Sequence, residues 1–429
     1  MSSIAVIGAG YVGLTTAACF AHLGHTVICA DIVAEKVERL SRGDIPILEA
    51  GMPELVRAGI DGGRLSFVLG ASAAVADAEF VYLCVPTPQS DDGSADLSFI
   101  RDAAAEIGPL LAPECIVVNK STVPVGSARV VEEVLGRDDV SVVSNPEFMR
   151  EGSAVHDCLN PDRIVIGSHD QVAAARVAEL FSALRAPVIV TDPASAETIK
   201  YASNAFLAAK VTFANAVANV CEAVGADVRD VLLGMGYDKR IGFEFLKPGP
   251  GYGGSCFPKD ISALIRIAED AGYEFGLLRG VHEVNLQQFG RVVAKVERMV
   301  GGSVDGQAIA AWGLTFKART DDLRQSPALE ILHRLSGMGA HVRAYDPAVA
   351  PADAGADSRL DGISVGADPY GVCDGAAALV VLTEWDDFRR LDFAKVAAAL
   401  AHPRVVDARN LLDPAALRRR GFTYEGIGR

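Results

Sequence analysis

The first thirty or so residues constrain the fold more than any other part of the chain. A short apolar stretch at residues 4–7 leads into the pattern GAGYVG at residues 8–13, a helix-compatible run through His22, and a second apolar stretch that ends in Asp31. Strand, Gly-x-Gly-x-x-Gly turn, helix, strand and acid in this order are typical of a dinucleotide-binding unit. The glycines allow backbone to approach a pyrophosphate at the helix N-terminus. We therefore predict an NAD site, in which Asp31 binds the ribose hydroxyls and disfavours NADP.

Further apolar segments read as strands, and each leads into a polar or proline-rich loop. They cover residues 79–85, 115–119, 140–143, 163–166 and 187–190. Ligands of open α/β sheets bind beyond the carboxyl ends of the strands. Any one of these loops could be an ordinary turn, but together they form a set of candidate ligand-binding residues. Residues expected near the cofactor on this basis are Gly8, Gly10, Tyr11, Val12, Gly13, Asp31, Lys36, Pro86, Thr87, Ser121 and Thr122.

A loop rich in glycine and proline, KPGPGYGGSCFPKD at residues 247–260, places Cys256 directly before a predicted helix. Pro258 suits a first helical turn, and apolar residues follow it at helical spacing. The positive end of the helix dipole and the neighbouring Lys259 both favour a thiolate. Cys256 is therefore a candidate nucleophile. A structural loop with an inert cysteine is the alternative that this segment alone leaves open.

The remaining segments predict how the chain divides. Residues 193–225 form a long run without internal Gly or Pro, on which Lys200 and Asn204 share a face. Its apolar stripe is typical of a helix buried between domains or against a second subunit: Ile199, Phe206, Phe213, Val217 and Val220. From Gln307 the strand pattern restarts without Gly-x-Gly-x-x-Gly. We predict an α/β protein with two Rossmann-like, doubly wound parallel-sheet domains, residues 1–192 and 303–429, joined by a central helical region at 193–302.

Composition excludes several classes of partner. The net charge of −15 disfavours binding to nucleic acid or to an anionic membrane surface. The eight cysteines lie scattered, without metal-ligand spacing, so no metal site is expected and a reducing cytoplasm is favoured. No charged residue precedes Asp31, but glycines interrupt that segment and no basic region opens it, so we do not expect a signal peptide or membrane anchor.

Taken together, the motifs resemble one family, the nucleotide-sugar dehydrogenases of the UDP-glucose/GDP-mannose type. The matching segments run through nearly the whole chain in order: GAGYVGL (8–14), CVPTP (84–88), KSTVPVG (120–126), SNPEFMREG (144–152), LNPDR (159–163), KYASNAF (200–206), FLKPGPGYGGSCFPKD (245–260) and GLTFK (313–317). The segment before Cys256 lacks the histidine associated with the N-acetylmannosamine branch. The loop motifs most resemble those of the UDP-glucose branch. Of the two alternative substrates, GDP-mannose fits these motifs better than UDP-N-acetylmannosamine does.

The resemblance implies a four-electron oxidation of UDP-glucose to UDP-glucuronate by two NAD⁺ in turn. It implies that the Cys256 thiolate adds to the intermediate aldehyde and carries it through a thiohemiacetal to a thioester. Lys200 is the implied base or electrostatic partner, and with Asn204 it stabilises the oxyanion. Glu147 is the implied activator of the hydrolytic water. Asp260 and Thr122 are implied to hold a water in the first step.

The resemblance also implies binding roles. Glu151, Lys259 and Arg324 belong to the expected cofactor set, and Lys317 and Arg409 supply positive charge for the diphosphate. The implied substrate contacts are Glu147, Phe148, Met149, Arg150, Glu151, Lys200, Asn204, Arg240, Phe245, Leu246, Lys247, Tyr252, Gly253, Cys256, Phe316, Lys317 and Arg409. Arg240 matches a family residue that reaches the substrate of a neighbouring subunit, so a homodimer is expected.

Two readings from other classes remain open. One is a two-electron hydroxyacid or sugar-phosphate dehydrogenase in which Cys256 is structural, and the other is a non-enzymatic NAD-sensing protein. The number of NADH molecules formed per substrate distinguishes a two-electron dehydrogenase from the four-electron enzyme. Any production of NADH excludes the non-enzymatic NAD-sensing protein.

Overall fold

The computed structural model describes residues 1–90 and 94–429. They form two compact units. The first comprises residues 1–203 and 262–273, and the second comprises residues 204–261 and 274–429. Each unit contains one sheet with helices packed against it.

The first unit is built on a sheet that has eight strands within the described residues. They are β1 (Ser3–Ile7), β2 (Thr26–Asp31), β3 (Leu65–Leu69), β4 (Phe80–Leu83), β5 (Ile116–Asn119), β6 (Ser141–Ser144), β7 (Ile164–Gly167) and β8 (Val188–Thr191). Their order across the sheet is β3-β2-β1-β4-β5-β6-β7-β8. The helices are α1 (Tyr11–His22), α2 (Ala34–Ser41), α3 (Met52–Asp61), α4 (Ser98–Ile107), α5 (Ser127–Leu135), α6 (Ala154–Leu159) and α7 (Gln171–Glu179).

The second unit repeats the pattern. Its strands are β9 (Ala308–Trp312), β10 (His341–Tyr345), β11 (Ile363–Val365), β12 (Ala378–Val381), β13 (Arg404–Asp407) and β14 (Thr423–Glu425). They run parallel in the order β11-β10-β9-β12-β13-β14, which is the order of the first six strands of the first unit. The remaining helices are α8 (Pro193–Val224), α9 (Val228–Gly236), α10 (Phe257–Asp270), α11 (Gly276–Val300), α12 (Pro327–Gly337), α13 (Phe393–Ala399) and α14 (Pro414–Arg419). The predicted restart of the strand pattern after Gln307 is confirmed.

Both sheets are buried on two faces, as doubly wound sheets require. Along β1, Ile4 and Val6 belong to one hydrophobic cluster, whereas Ala5 and Ile7 belong to the cluster on the opposite face. β9 alternates in the same way. Two-sided burial explains why these central strands appear in the sequence as continuous apolar runs rather than as alternating ones.

The structure differs from the sequence-based prediction at the sheet edges. β3, β11 and β14 were not predicted, because they are edge strands of three to five residues that are only half buried and lack a continuous apolar run. The first sheet is also not wholly parallel. β7 pairs antiparallel to β6 through Ser144 and Gly167, and β8 then runs parallel to β7.

The helix α8 has 32 residues and is unusually exposed for its hydropathy. By length and composition alone it could cross a membrane, and 33 % of its most apolar window is buried. Its first eleven residues belong to the first unit and the rest to the second. Phe206, Phe213 and Val220 are 67 %, 56 % and 60 % exposed, and their seven-residue spacing places them on one face.

Candidate active site

The turn between β1 and α1 forms an open cradle. Gly8 has φ +98°, and a Cβ on Gly13 would lie 1.8 Å from the carbonyl oxygen of Gly8, so both positions require glycine. Gly10 caps α1, and a Cβ there would meet nothing within 4 Å. Tyr11 and Val12 open the helix, where backbone N–H groups have no partner within the helix itself. The open space at Gly10, in front of these amides, fits a pyrophosphate.

Asp31 lies at the end of β2, beside this cradle. Its carboxylate accepts hydrogen bonds from Ala9 N at 3.0 Å, Val33 N at 3.0 Å and Lys36 Nζ at 2.9 Å. Burial alone would raise the pKa of Asp31, but these three donors outweigh it and the pKa lies below its usual range. The group is therefore an anion at neutral pH. Lys36, which was predicted to lie near the cofactor, pairs with this carboxylate and helps to hold it ionised.

The loops after β4 and β5 are joined by side-chain hydrogen bonds. Thr87 Oγ1 donates to the Thr122 carbonyl at 2.9 Å, and Ser121 Oγ donates to the Val85 carbonyl at 2.6 Å. β4 lies next to β1, and a Cβ on Gly8 would lie 2.7 Å from the Cys84 carbonyl oxygen. Pro86, Thr87, Ser121 and Thr122 therefore follow β4 and β5 at the sheet edge that also carries the β1–α1 turn.

Glu147 and Lys200 form a buried ion pair in the first unit. Lys200 Nζ donates to Glu147 Oε1 at 2.8 Å, and the two side chains are 4 % and 6 % exposed. Glu147 Oε2 also accepts from Met149 N at 2.6 Å. Burial opposes ionisation, but the charge of Lys200, with these hydrogen bonds, lowers the pKa of Glu147. Glu147 is thus a buried carboxylate that stays ionised at neutral pH.

The segment from Glu147 to Gly152 is held at several points. The Arg163 guanidinium stacks on the Phe148 ring with 3.6 Å to the ring centroid, and Arg150 pairs with Asp157 at 2.7 Å. At its far end the Gly152 N–H donates to the Tyr11 hydroxyl and to Glu49 Oε2, each at 2.7 Å, and the Tyr11 hydroxyl donates to Glu49. The segment that carries Glu147, Phe148, Met149 and Glu151 is therefore fixed to the first residue of α1.

Two buried carboxylates of this region were not predicted. Glu49 is 4 % exposed and completes the contact to Tyr11. Glu197 lies on α8 one turn before Lys200, is 2 % exposed, and accepts from Gly126 N at 2.6 Å, Ala128 N at 3.0 Å and Ser144 Oγ at 3.0 Å. Glu197 therefore fixes the start of α8 to the N-terminus of α5. The surrounding sequence, ASAETIK at residues 194–200, mixes small, polar and apolar residues and carries no clear signal for this contact.

In the second unit, Cys256 lies immediately before α10, as predicted. Asp260 N donates to the Cys256 carbonyl at 2.9 Å, which forms the first turn of the helix. The Asp260 carboxylate, 0 % exposed, accepts from Asn204 Nδ2 at 2.6 Å and from Lys259 Nζ at 2.6 Å. Asn204, Lys259 and Asp260 thus form a hydrogen-bonded set at the helix start. Lys259 was expected to act on the thiol, and the structure pairs it with Asp260.

The glycine-rich loop before Cys256 is held by three amides. Gly249 N donates to Asn215 Oδ1 at 2.8 Å, and Gln288 Nε2 donates to the Gly249 carbonyl at 2.9 Å. Asn285 is bonded to both N–H and C=O of Tyr252, at 2.8 and 3.1 Å. None of these amide residues was predicted, because they belong to helices far away in sequence.

The same loop packs against residues that follow β9, beyond its carboxyl end. A Cβ on Gly253 would lie 2.1 Å from the Gln325 carbonyl oxygen, and one on Gly254 would lie 2.7 Å from the Phe316 ring. Arg409 donates to the carbonyls of Phe316 and Leu382, at 2.9 and 2.8 Å. The structure therefore brings together, within the second unit, the predicted substrate residues of the loop with Phe316, Lys317 and Arg409.

Other predicted substrate residues lie at the start of this loop. Phe245 has φ +63°, a strained value for a residue with a side chain, and its ring lies 6.2 Å from that of Phe257. Leu246 is buried and Lys247 is exposed. The Tyr252 hydroxyl is buried without a hydrogen-bond partner among the described residues. Such an orphaned hydroxyl fits a site that a polar ligand completes.

Two predicted arginines pair with neighbouring acids. Arg240 contacts Asp238 at 2.6 Å and is 88 % exposed, and Arg324 contacts Asp322 at 2.7 Å. No cluster of His, Cys, Asp and Glu suited to a metal ion occurs among the described residues. The predicted set thus falls into two groups, one in each unit. Lys200 and Asn204, four residues apart on α8, lie on either side of the boundary between the units.

Three family models match the chain in sequence. The models describe the UDP-glucose/GDP-mannose dehydrogenase family: its NAD binding domain matches residues 2–185, its central domain residues 194–287, and its UDP binding domain residues 310–414.

Individual relatives are similar over their full length. The UDP-glucose 6-dehydrogenase TuaD of Bacillus subtilis is 45 % identical, covering 100 % of this chain and 94 % of that protein. A UDP-glucose 6-dehydrogenase of Pseudomonas aeruginosa is also 45 % identical, covering 99 % and 97 %. The solved structure of a UDP-glucose dehydrogenase from the archaeon Pyrobaculum islandicum is 38 % identical, with a TM-score of 0.91 over 100 % of this chain and 98 % of that one.

Proposed function

Because the chain belongs to the UDP-glucose/GDP-mannose dehydrogenase family, we propose that it oxidises UDP-glucose to UDP-glucuronate and reduces two NAD⁺. The observation that carries the proposal is the hydrogen-bonded set at the helix start beside Cys256, where the buried Asp260 is held by Asn204 and Lys259. The names of the full-length relatives support UDP-glucose as the substrate. GDP-mannose and UDP-N-acetylmannosamine are the alternatives within the same chemistry.

The first oxidation requires a group that takes the proton of the C6 hydroxyl. We assign this role to Lys200, or to a water that Asp260 and Thr122 hold. The ion pair with Glu147 fixes the position of the Lys200 ammonium and buries it. Bound NAD⁺ supplies the hydride acceptor. The open cradle at Gly10 and the anionic Asp31 are the features that fit it.

The second oxidation requires that the aldehyde be retained. The Cys256 thiolate adds to it, and the thiohemiacetal oxygen is stabilised by Lys200 and Asn204. Loss of the second hydride leaves a thioester on Cys256. Glu147, ionised at neutral pH, activates the water that hydrolyses it.

The proposed nucleotide-sugar site uses the second unit's loop together with the strand ends of its sheet. The glycines of the loop allow its backbone to approach the sugar phosphates closely, and Arg409 and Lys317 offset the phosphate charge. Glu151 and Arg324 are proposed cofactor contacts, and Arg240 is proposed to reach the substrate of a neighbouring subunit. We propose a cytoplasmic homodimer whose interface covers the exposed stripe of α8. We further propose that residues 1–192 bind the cofactor, residues 193–302 carry the catalytic loop and the dimer interface, and residues 303–429 bind the nucleotide sugar.

The test is the stoichiometry of NADH formation with UDP-glucose, GDP-mannose and UDP-N-acetylmannosamine in parallel. We expect two NADH and one carboxylate product per UDP-glucose. Formation of one NADH and a carbonyl product would contradict the covalent scheme. Faster turnover of GDP-mannose or UDP-N-acetylmannosamine would contradict the assignment of UDP-glucose as the substrate.

A second experiment isolates the nucleophile. Cys256→Ser should still bind UDP-glucose in calorimetry, because loop and sheet contacts remain, but should release no UDP-glucuronate. Cys373→Ser, which changes a buried cysteine elsewhere in the second unit, is the matched control and should turn over normally. Full turnover by Cys256→Ser would exclude the thioester.

A further inference from the structure

Glu197, a buried carboxylate of α8 that the proposed reaction does not use, bonds to two loops that carry candidate catalytic residues. Its Oε1 accepts from Ser144 Oγ at 3.0 Å, and its Oε2 accepts from Gly126 N at 2.6 Å. Ser144 ends β6 and precedes Glu147 by three residues, and Gly126 ends the loop after β5 that carries Thr122. One side chain of α8 therefore reaches both loops.

The helix α8 is bonded to the segment after β6 at two points. Glu197 accepts from Ser144, and Lys200, three residues further along α8, donates to Glu147 at 2.8 Å. Residues three apart lie on the same face of a helix, so the two contacts run side by side. The Glu197 contact thus fixes the helical turn from which Lys200 reaches Glu147.

The contact to α5 supplies the cap that this helix lacks. α5 begins after Gly126, which has φ +95° and no side chain that could accept from the first amides of the helix. Glu197 accepts instead, from the N–H groups of Gly126 at 2.6 Å and Ala128 at 3.0 Å. A carboxylate at this position also interacts favourably with the positive end of the helix dipole. The loop that carries Thr122 is therefore fixed at its far end by α8.

Burial makes these contacts hard to replace. Glu197 is 2 % exposed, and two of its donor residues, Ser144 and Ala128, are also buried. Burial raises the pKa of Glu197, and the hydrogen bonds from the amides and the Ser144 hydroxyl act against this rise. A substitution that removes an acceptor oxygen leaves a buried donor without a partner, so the loops are expected to shift.

We propose that Glu197 is a positioning residue, which holds the loops of Thr122 and Glu147 in register with the turn of α8 that carries Lys200. It acts through these three residues and transfers neither the proton nor the hydride. A displacement of about 1 Å at a catalytic group can lower a rate by about 100-fold. The expected effect on rate rests on the proposed function, whereas the contacts themselves do not.

The first unit contains a matched control. Asp170, the N-cap residue of α7, accepts from Val172 N at 2.8 Å, Ala173 N at 3.2 Å and Ser141 Oγ at 2.7 Å. Two amides at a helix start and a serine hydroxyl of β6 are thus its donors as well. Ser141 is the first residue of β6 and Ser144 the last, so this second set lies at the other end of the strand from the candidate catalytic loops.

Steady-state kinetics with UDP-glucose and NAD⁺ test the role. Glu197→Gln keeps the shape of the side chain but replaces one acceptor oxygen with a donor. We expect its kcat to fall at least about tenfold while both KM values change by less than about threefold, because the catalytic groups shift and the other binding contacts remain. Ser144→Ala should lower kcat by a smaller factor, and the controls Asp170→Asn and Ser141→Ala should keep the wild-type kcat.

Asp170 is more exposed than Glu197, so thermal unfolding is measured to establish that every variant is folded at the assay temperature. A wild-type kcat in folded Glu197→Gln would overturn the proposal. An equal loss of kcat in Asp170→Asn would also overturn it, because the effect would then follow from helix capping in general.

Hydrogen–deuterium exchange of the protein without ligands gives a measurement that does not depend on the reaction. Peptides covering residues 120–128 and 144–152 should exchange faster in Glu197→Gln than in the wild type and should be unchanged in Asp170→Asn. Unchanged exchange in both segments of Glu197→Gln would overturn the positioning role. A wild type that does not oxidise UDP-glucose would contradict the proposed function, and the exchange rates would still decide whether Glu197 holds the two loops.

Discussion

At the scale of single residues, the protein places charged groups where burial would normally neutralise them, and it keeps them ionised through partners. The Glu147 carboxylate and the Lys200 ammonium are almost fully buried and lie 2.8 Å apart. Removing one partner leaves the other as an uncompensated charge in a poorly polarisable interior. Loss of either partner alone is therefore expected to destabilise the first unit, apart from any part that the pair takes in the proposed chemistry.

We predict that Lys200→Met lowers the free energy of unfolding by about 3 to 5 kcal/mol at neutral pH, because Glu147 is left buried and charged. The double variant Glu147→Gln/Lys200→Met should recover much of that stability but none of the activity. Urea unfolding of the three proteins measures both effects. A double variant no more stable than Lys200→Met would contradict this account.

The same pair predicts a pH dependence. The folded-state pKa of Glu147 is lowered, so the ion pair's contribution to stability is present above the unfolded-state pKa and is lost as pH falls through the folded-state value. In Lys200→Met the sign reverses, since an unpaired buried Glu147 favours protonation. The difference in unfolding free energy between wild type and Lys200→Met should therefore shrink as pH falls from 7 towards about 4. A difference that stays constant with pH would exclude ionised Glu147 as the cause.

At the scale of elements, the turn between β1 and α1 separates glycines needed for the fold from one available for a ligand. A Cβ on Gly13 collides with the Gly8 carbonyl, whereas a Cβ on Gly10 points into open space. Both glycines belong to one motif, yet glycine is needed at position 13 to avoid a clash within the chain and at position 10 to leave space for a ligand.

We predict that Gly10→Ala folds, at a cost of about 1 kcal/mol for the weaker helix cap, but binds NAD⁺ at least about tenfold more weakly because the methyl group occupies the pyrophosphate position. Gly13→Ala should instead cost about 3 kcal/mol of stability through the clash. Thermal unfolding and NAD⁺ titration measure the two effects. Normal NAD⁺ affinity in Gly10→Ala would place the cofactor elsewhere.

The exposed stripe of α8 belongs to the same scale. Three large apolar side chains on one face of a helix are an unusual exposure for a soluble surface and are typical of an interface. We predict that Phe206→Glu/Phe213→Glu converts the proposed dimer to a monomer in light scattering. Val172→Glu, at a 70 % exposed position of α7, is the matched control and should leave the dimer intact. A double variant that remains dimeric would rule out this face.

At the scale of the whole molecule, the six strands of the second sheet have the same order as six strands of the first. The loops at the carboxyl ends of the corresponding strands differ. Asp31, the last residue of β2, lies beside the open glycine cradle and accepts from Ala9 N, Val33 N and Lys36 Nζ. Asp346, in the corresponding position after β10, accepts from Leu314 N at 2.7 Å, Thr315 N at 3.1 Å and Trp385 Nε1 at 3.2 Å. Both carboxylates are thus held by their own chain. The two units differ in the turn after the first strand, where the first unit has open space at Gly10 and the second has Thr315, whose hydroxyl donates to Asp346.

We therefore predict one NAD⁺ bound per chain in calorimetry, with Asp31→Ala weakening that binding. Asp346→Ala should lower stability, because it leaves buried donors without their acceptor, and should not change the NAD⁺ stoichiometry. A second NAD⁺ per chain that disappears in Asp346→Ala would contradict this assignment.

Much of the molecule follows from local sequence patterns, because strand, turn and helix signals act over a few residues. The Gly-x-Gly-x-x-Gly turn, Asp31 at a strand end, Cys256 at a helix start and the repeated α/β unit were all readable in this way. The edge strands and the reversal between β6 and β7 were not, because neither has a strong local signal.

Local patterns predicted which residues are candidates for binding and catalysis, since residue type and position after a strand or before a helix are local properties. How those residues are held depends on contacts made only in the folded chain. Glu49, Glu197, Asn215, Asn285 and Gln288 fix the candidate site residues from distant parts of the chain. Hydrogen bonds and ionisation depend on distance and burial in three dimensions, and a linear pattern does not record these.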